Sequence, residues 1–98
     1  ALLEACVLSV LSKGDTYGYV LTQSMKQVLD ISESTLYPVL RRLQKNEYLR
    51  TYDQPYQGRN RRYYSVTDKG KEQFEIYKKE WKEYKEQIDS LLSGGETE

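Results

Sequence analysis

Residues 32–45 read Ser-Glu-Ser-Thr-Leu-Tyr-Pro-Val-Leu-Arg-Arg-Leu-Gln-Lys. Leu36, Leu40 and Leu43 recur at spacings of four and three, so they share one face of a helix and demand a core. Ser34, Thr35, Tyr37, Pro38, Arg41, Arg42 and Lys45 cover the rest. A solvated helix face ordinarily mixes acid with base; past Glu33 this one holds only hydroxyls and cations, which suits a polyanion. Ser32 is the expected cap, with Glu33 in the first turn. Counted from Ser32, Pro38 falls beyond the first turn and removes a backbone bond; counted from Ser34, it falls within that turn at little cost. Both starts are open at this level. The helix is expected to end near Asn46-Glu47, with Asn46 in the left-handed position.

The remaining chain must support that helix. Ninety-eight residues make one domain, and so small a chain is marginal unless its core is efficient or it oligomerises. Ten tyrosines do much of the apolar work, burying a ring while keeping a hydroxyl wet. The formal charge is zero overall. That total conceals a gradient: −2 over residues 1–40, +6 over 41–71 and −4 over 72–98. The basic centre bears on partners more than the total does. One cysteine precludes an internal disulfide and fits a reducing compartment. No apolar run approaches the ~18 residues a membrane span needs. The opening lacks the basic flank and cleavage site of a signal peptide. Ala1 already lies inside an apparent helix, so native residues are expected ahead of it.

Residues 2–11 are apolar nearly all round, so that helix is expected to be covered on most sides, by the core and by a second subunit. Cys6 reads as a buried structural thiol. Gly14 is the expected stop. A second helix is expected from a cap at Asp15 or Thr16 to about Leu29, with Leu21, Met25 and Val28 inward. Gly18 in its first turn reads as packing against a neighbouring helix, ahead of a backbone approach to phosphate. Two strands, 48–52 and 61–66, flank a turn region at 53–60 that is longer than a two-residue hairpin loop. Alternation places Tyr64 and Val66 on one face and Arg61 and Tyr63 on the other. Arg59, Arg61 and Arg62 make the tip basic, the character of a wing. Thr67 caps a last helix. Its Phe74, Tyr77, Trp81, Tyr84, Ile88 and Leu91 are spaced three, four, three, four, three, a heptad seam of about two and a half repeats. Residues 94–98 are expected to be a disordered tail.

Catalysis finds no support. There is no histidine and one cysteine, so no imidazole base and no zinc site are available. Glu72, Glu75, Glu80, Glu83 and Glu86 lie beside lysines as a solvated face. No cofactor or metal is expected. Three helices, a basic two-stranded hairpin and a long helix give a mainly α winged helix-turn-helix: residues 1–70 as the DNA-binding unit, 71–93 as the dimerisation helix. Helix 32–46 would enter the major groove, and the wing 53–62 would track the adjacent backbone.

The chain resembles PadR-family transcriptional regulators of the short subfamily with one C-terminal helix. The motifs are Tyr17-Gly18-Tyr19; Ser34-Thr35-Leu36-Tyr37-Pro38 with Arg42-Leu43; and Gly58-Arg59-Asn60-Arg61-Arg62-Tyr63-Tyr64-Ser65-Val66-Thr67 with Gly70. They span essentially the whole chain, in order. The resemblance implies a cytoplasmic bacterial repressor and a homodimer whose last helix packs on the partner's first helix. It implies a palindromic operator and, often, release by a small aromatic effector. Three positions depart from or qualify the pattern. Glu47 stands where the family usually has Gly, and Val20 where it often has Glu. Trp81 falls where some relatives place a tryptophan in a ligand pore, although seam packing explains it first.

The expected DNA contacts are thus Ser34, Thr35, Tyr37, Pro38, Arg41, Arg42, Lys45, Arg59, Arg61 and Arg62. The expected dimer contacts are Leu3, Val7, Phe74, Tyr77, Trp81, Tyr84, Ile88 and Leu91, with Trp81 also the effector contact. One other reading competes, a winged helix whose basic face binds an acidic protein; a further one, a multidrug-sensing repressor with a ligand pore between subunits, is compatible with DNA binding.

Overall fold

A computed structural model describes residues 2–94. The elements are α1 (Leu2–Ser12), β1 (Thr16–Tyr17), α2 (Gly18–Val28), α3 (Glu33–Lys45), β2 (Leu49–Tyr56), β3 (Arg59–Val66) and α4 (Asp68–Leu92). The core joins Val7, Leu8 and Leu11 of α1, Leu21 and Met25 of α2, and Leu36, Val39, Leu40 and Leu43 of α3 to Leu49 of β2. The inward stripe of α3 is the expected one with Val39 added. Each such side chain contributes about 1.5–3 kcal/mol on burial, so two short helices and the start of β2 suffice to seat α3. Cys6 is half-buried rather than buried, and that burial pushes its thiol up.

α2 departs from expectation at both ends. Neither Asp15 nor Thr16 caps it; Tyr17 holds the cap position, extended and with no side-chain bond. Thr16 and Tyr17 instead pair with Tyr64 and Tyr63, adding a third strand to the expected two, in the order β1-β3-β2. The Asp15 carboxylate accepts a 2.7 Å hydrogen bond from the Tyr52 hydroxyl. The neighbour of Gly18 is the Tyr64 ring rather than a helix, and a Cβ there would sit 3.6 Å from it, an ordinary contact. Val28 is 76% exposed. The helix ends there, and Leu29 turns out into extended backbone to reach the core in its place.

The hairpin is tighter than expected. β2 and β3 pair without interruption from Leu49–Val66 to Tyr56–Arg59, leaving only Gln57 and Gly58 in the turn. Both have positive φ, 51° and 79°, as the twist-matching two-residue turn demands. Pro55 is tolerated because β2 is an edge strand, and in this register Pro55–Asn60 is a pair that exchanges no ladder bonds.

The junction after α3 differs most from expectation. Asn46 does not take the left-handed position; Glu47 does, at φ 64°. Tyr48 N–H donates to the Leu43 carbonyl at 2.9 Å and Glu47 N–H to the Gln44 carbonyl at 3.0 Å. Those two bonds are a complete Schellman closure, and their geometry fixes which residue must be left-handed. The Thr67 hydroxyl donates to the Glu47 carbonyl at 2.7 Å while accepting from Gly70 N–H at 2.9 Å. Thr67 is therefore the expected cap of α4, and also ties α4 to the end of α3.

α4 packs on α1, and Phe74 and Tyr77 lie against the core. Beyond them it projects, giving a chain 64 × 27 × 21 Å in extent. Of the expected tail, Gly94 is the last described residue and 95–98 lie outside the described residues.

Candidate nucleic-acid interface

α3 begins after Ser32, the first of the two starts, so Pro38 lies past the first turn and one backbone bond is absent. The start is compensated by hydroxyls. Ser32 Oγ accepts from Thr35 N–H at 3.3 Å and lies 2.9 Å from Ser34 Oγ and 3.1 Å from Thr35 Oγ1. Ser34, Thr35, Tyr37, Arg41, Arg42 and Lys45 are exposed, and Pro38 is half-buried. Arg41 and Lys45 have no ion-pair partner among the described residues.

Arg42 differs. Its Nη2 lies 2.7 Å from Glu4 Oε2 on α1, with the arginine side chain 58% exposed and the glutamate only 17%. Burial alone would raise the Glu4 carboxyl, yet hydrogen bonds from Arg42 and its own backbone, with the Arg42 charge, hold it below the usual carboxylate range. Arg42 is thus oriented by α1 and offers its remaining N–H groups outward. Glu4, 38 residues away in sequence, gave no sign of this role.

On the wing, Arg59 and Arg62 are exposed. Arg62 lies 3.5 Å from Asp53, both well exposed, a pair worth ~0–1 kcal/mol. Burial pushes the Tyr64 hydroxyl up, with Arg62 opposing and Tyr37 adding to the shift. Arg62 and Tyr64, two residues apart on β3, share one side of the sheet. Arg61 is on the other side, half-buried, its guanidinium 3.8 Å from the centroid of Tyr56 and 4.3 Å from that of Tyr17. On that face Tyr17, Tyr63 and Tyr52 are direct cross-strand neighbours, with centroids 5.8 and 5.5 Å apart. This tyrosine row was illegible in the sequence because β1 was.

The expected dimer residues divide. Val7 is fully buried in its own core and has no surface left for a partner. Leu3, Phe74 and Tyr77 are partly buried against the same core. Trp81 and Tyr84, 43% and 55% exposed, and Leu91 are uncovered, and Ile88 is half-buried. Leu2, Tyr77, Glu80, Trp81 and Tyr84 line an open groove of about 380 Å³. No group of carboxylates and thiols suited to a metal exists among the described residues, and no described helix is long and apolar enough to cross a membrane.

A helix bundle that presents a basic helix beside a hairpin wing is a winged helix-turn-helix. Residues 7–76 match the Transcriptional regulator PadR-like family. The chain belongs to that family, whose members are transcriptional regulators rather than enzymes. Among solved structures, a Streptococcus mutans protein is 46% identical, with a TM-score of 0.86 over 95% of this chain and 88% of its own. A PadR-like transcriptional regulator of Bacillus cereus is 34% identical, with a TM-score of 0.82 over 93% and 91%. Bacillus subtilis PadR in complex with operator DNA shares the fold at 24% identity, with a TM-score of 0.69 over 79% of this chain and 46% of that one.

Proposed function

We propose that this regulator binds double-stranded DNA as a homodimer at an inverted-repeat operator and represses transcription there. The observation that carries the reading is the exposed cationic and hydroxyl face of α3, joined by the exposed Arg59 and Arg62 of the wing, on a fold shared with a protein captured on its operator. α3 lies in the major groove. Arg41 and Lys45 meet phosphates or guanine edges, and Arg42 does so while braced by Glu4. Ser34, Thr35, Tyr37 and Pro38 form the end of the helix nearest the bases. Arg59 and Arg62 neutralise the adjacent backbone.

Trp81, Tyr84, Ile88 and Leu91 supply the dimer seam, supported by the exposure of Trp81, Tyr84 and Leu91 in the single chain. Dimerisation sets the two α3 helices about one DNA turn apart, ~34–36 Å, or a multiple of it. The regulator acts in the cytoplasm, where a bacterial cell keeps its DNA. The aromatic groove at Trp81 supports release by a small planar effector.

Selection of bound duplexes from a random pool tests the central reading. The expected product is an inverted repeat with half-sites spaced by whole turns; recovery of no enriched sequence refutes it. With the selected duplex, Arg41→Ala should weaken binding and flatten the salt slope by about 0.9 for each phosphate that Arg41 neutralises. An unaltered affinity and slope would remove Arg41 from the interface.

A further inference from the structure

We propose that Arg61 is the positioning residue of the wing, clamping the hairpin tip to β1 rather than contacting phosphate. Its guanidinium lies between two rings that the sequence separates widely, Tyr56 at 3.8 Å and Tyr17 at 4.3 Å. Tyr56 closes the wing next to the Gln57-Gly58 turn, and Tyr17 leads directly into α2. In register, Arg61 stands opposite Gln54 and reaches diagonally to both rings across its neighbouring strands, the distance at which long and aromatic side chains still interact. One residue thus spans all three strands near the tip.

A two-stranded ribbon is at best marginally stable alone and twists readily. Here β1 covers only the base of β3, at Tyr63 and Tyr64, so the outer part of the hairpin has no third strand. The clamp stands where that support ends. The face also matters. Arg62, one residue on, points with Tyr64 to the other side of the sheet from Arg61, and Arg59 shares the side of Arg61 but stands free of the rings at the tip. Arg59 and Arg62 are exposed, whereas Arg61 is half-buried. A stacked guanidinium suits this work better than an ammonium would, because its planar charge lies flat against a ring.

The first readout needs no DNA, so the clamp can fail independently of the DNA-binding reading on which its second readout rests. Amide hydrogen exchange is measured at residues 56–60 in the whole protein. Arg61→Ala and Tyr17→Leu should each speed exchange there by about five- to thirty-fold, the range for removing one or two such stacking interactions. The double variant should fall short of the product of the two single effects, because removing the guanidinium already breaks its stack on Tyr17. Arg61→Lys keeps the charge and should not restore protection. The second readout is the salt dependence of binding to a mixed-sequence duplex of ~30 base pairs, a probe that reports phosphate neutralisation. Arg61→Ala should leave the slope unchanged, while Arg59→Ala and Arg62→Ala reduce it. Unchanged exchange in Arg61→Ala and Tyr17→Leu, or restoration of protection by lysine, overturns the clamp. So does a slope that falls with Arg61→Ala and recovers with Arg61→Lys.

Discussion

Replacing Gly70 with alanine sets two physical effects against each other, and the structure decides which wins. Gly70 lies in the first turn of a 25-residue helix. By propensity alone the substitution should stabilise, since alanine outranks glycine by about 0.8–1.0 kcal/mol in a helix interior. In place, however, the new Cβ would collide with the Tyr48 carbonyl oxygen. It would also lie 2.8 Å from Val66 Cγ2 and 3.0 Å from the Tyr48 carbonyl carbon. Two of these three are backbone atoms that no rotamer change can move. α4 must shift outward, straining the Thr67 hydroxyl bond to the Glu47 carbonyl at 2.7 Å and the Thr67 N–H bond to the Tyr48 carbonyl at 3.1 Å. Two such bonds contribute about 1–3 kcal/mol, and overpacking costs about 1–3 kcal/mol more. Set against the propensity gain, the net expectation is a loss of about 1–5 kcal/mol. The assay is urea unfolding followed by far-ultraviolet circular dichroism, at one fixed protein concentration because association of chains would move the midpoint. The midpoint should fall. A midpoint equal to or above that of the parent would refute the close approach of α4 to Tyr48.

At the same junction Glu47→Gly should raise stability by about 0.5–1 kcal/mol, since a left-handed side chain is relieved at the cost of some unfolded-state entropy; the urea midpoint reports it. Glu4 predicts a pH effect. Its folded carboxyl is held low, so the Glu4–Arg42 contribution is complete above the ordinary carboxylate range of about 4–4.5 and drains away as pH falls below it. Glu4→Gln should therefore flatten the acid limb of a stability-against-pH curve, and a limb of undiminished steepness would count against the pair. Trp81→Asp and Tyr84→Asp should give folded monomers, because both positions are exposed in the single chain; sedimentation showing intact dimers would dismiss the seam. Val7→Asp, by contrast, should unfold the chain at any concentration, as unfolding monitored on dilution would reveal, because Val7 is fully buried in its own core.

Periodic features were the legible ones. Leu36, Leu40 and Leu43 announced the buried face of α3, and by subtraction its basic face, because helical spacing alone decides which side chains share a side. Ser32 and Thr67 were readable as caps for the same local reason. The sequence alone thus determined that three helices carry a basic hairpin and a long amphipathic helix.

What it left open depended on groups distant along the chain. A two-residue strand carries no pattern of its own, and β1 exists only because β3 offers Thr16 and Tyr17 a free edge. The left-handed residue after α3 was settled at Glu47 by bonds to Leu43 and Gln44 and by a hydroxyl from Thr67. Val7 and Trp81 look alike in an apolar pattern, yet packing buries the first and leaves the second exposed. Even the three arginines of the wing, equivalent by charge, are set apart by tertiary contacts. Arg61 is stacked between tyrosines while Arg59 and Arg62 stand exposed. Local spacing fixes which face a side chain shares; only the fold brings together the rings, carbonyls and carboxylates that decide what each face can do.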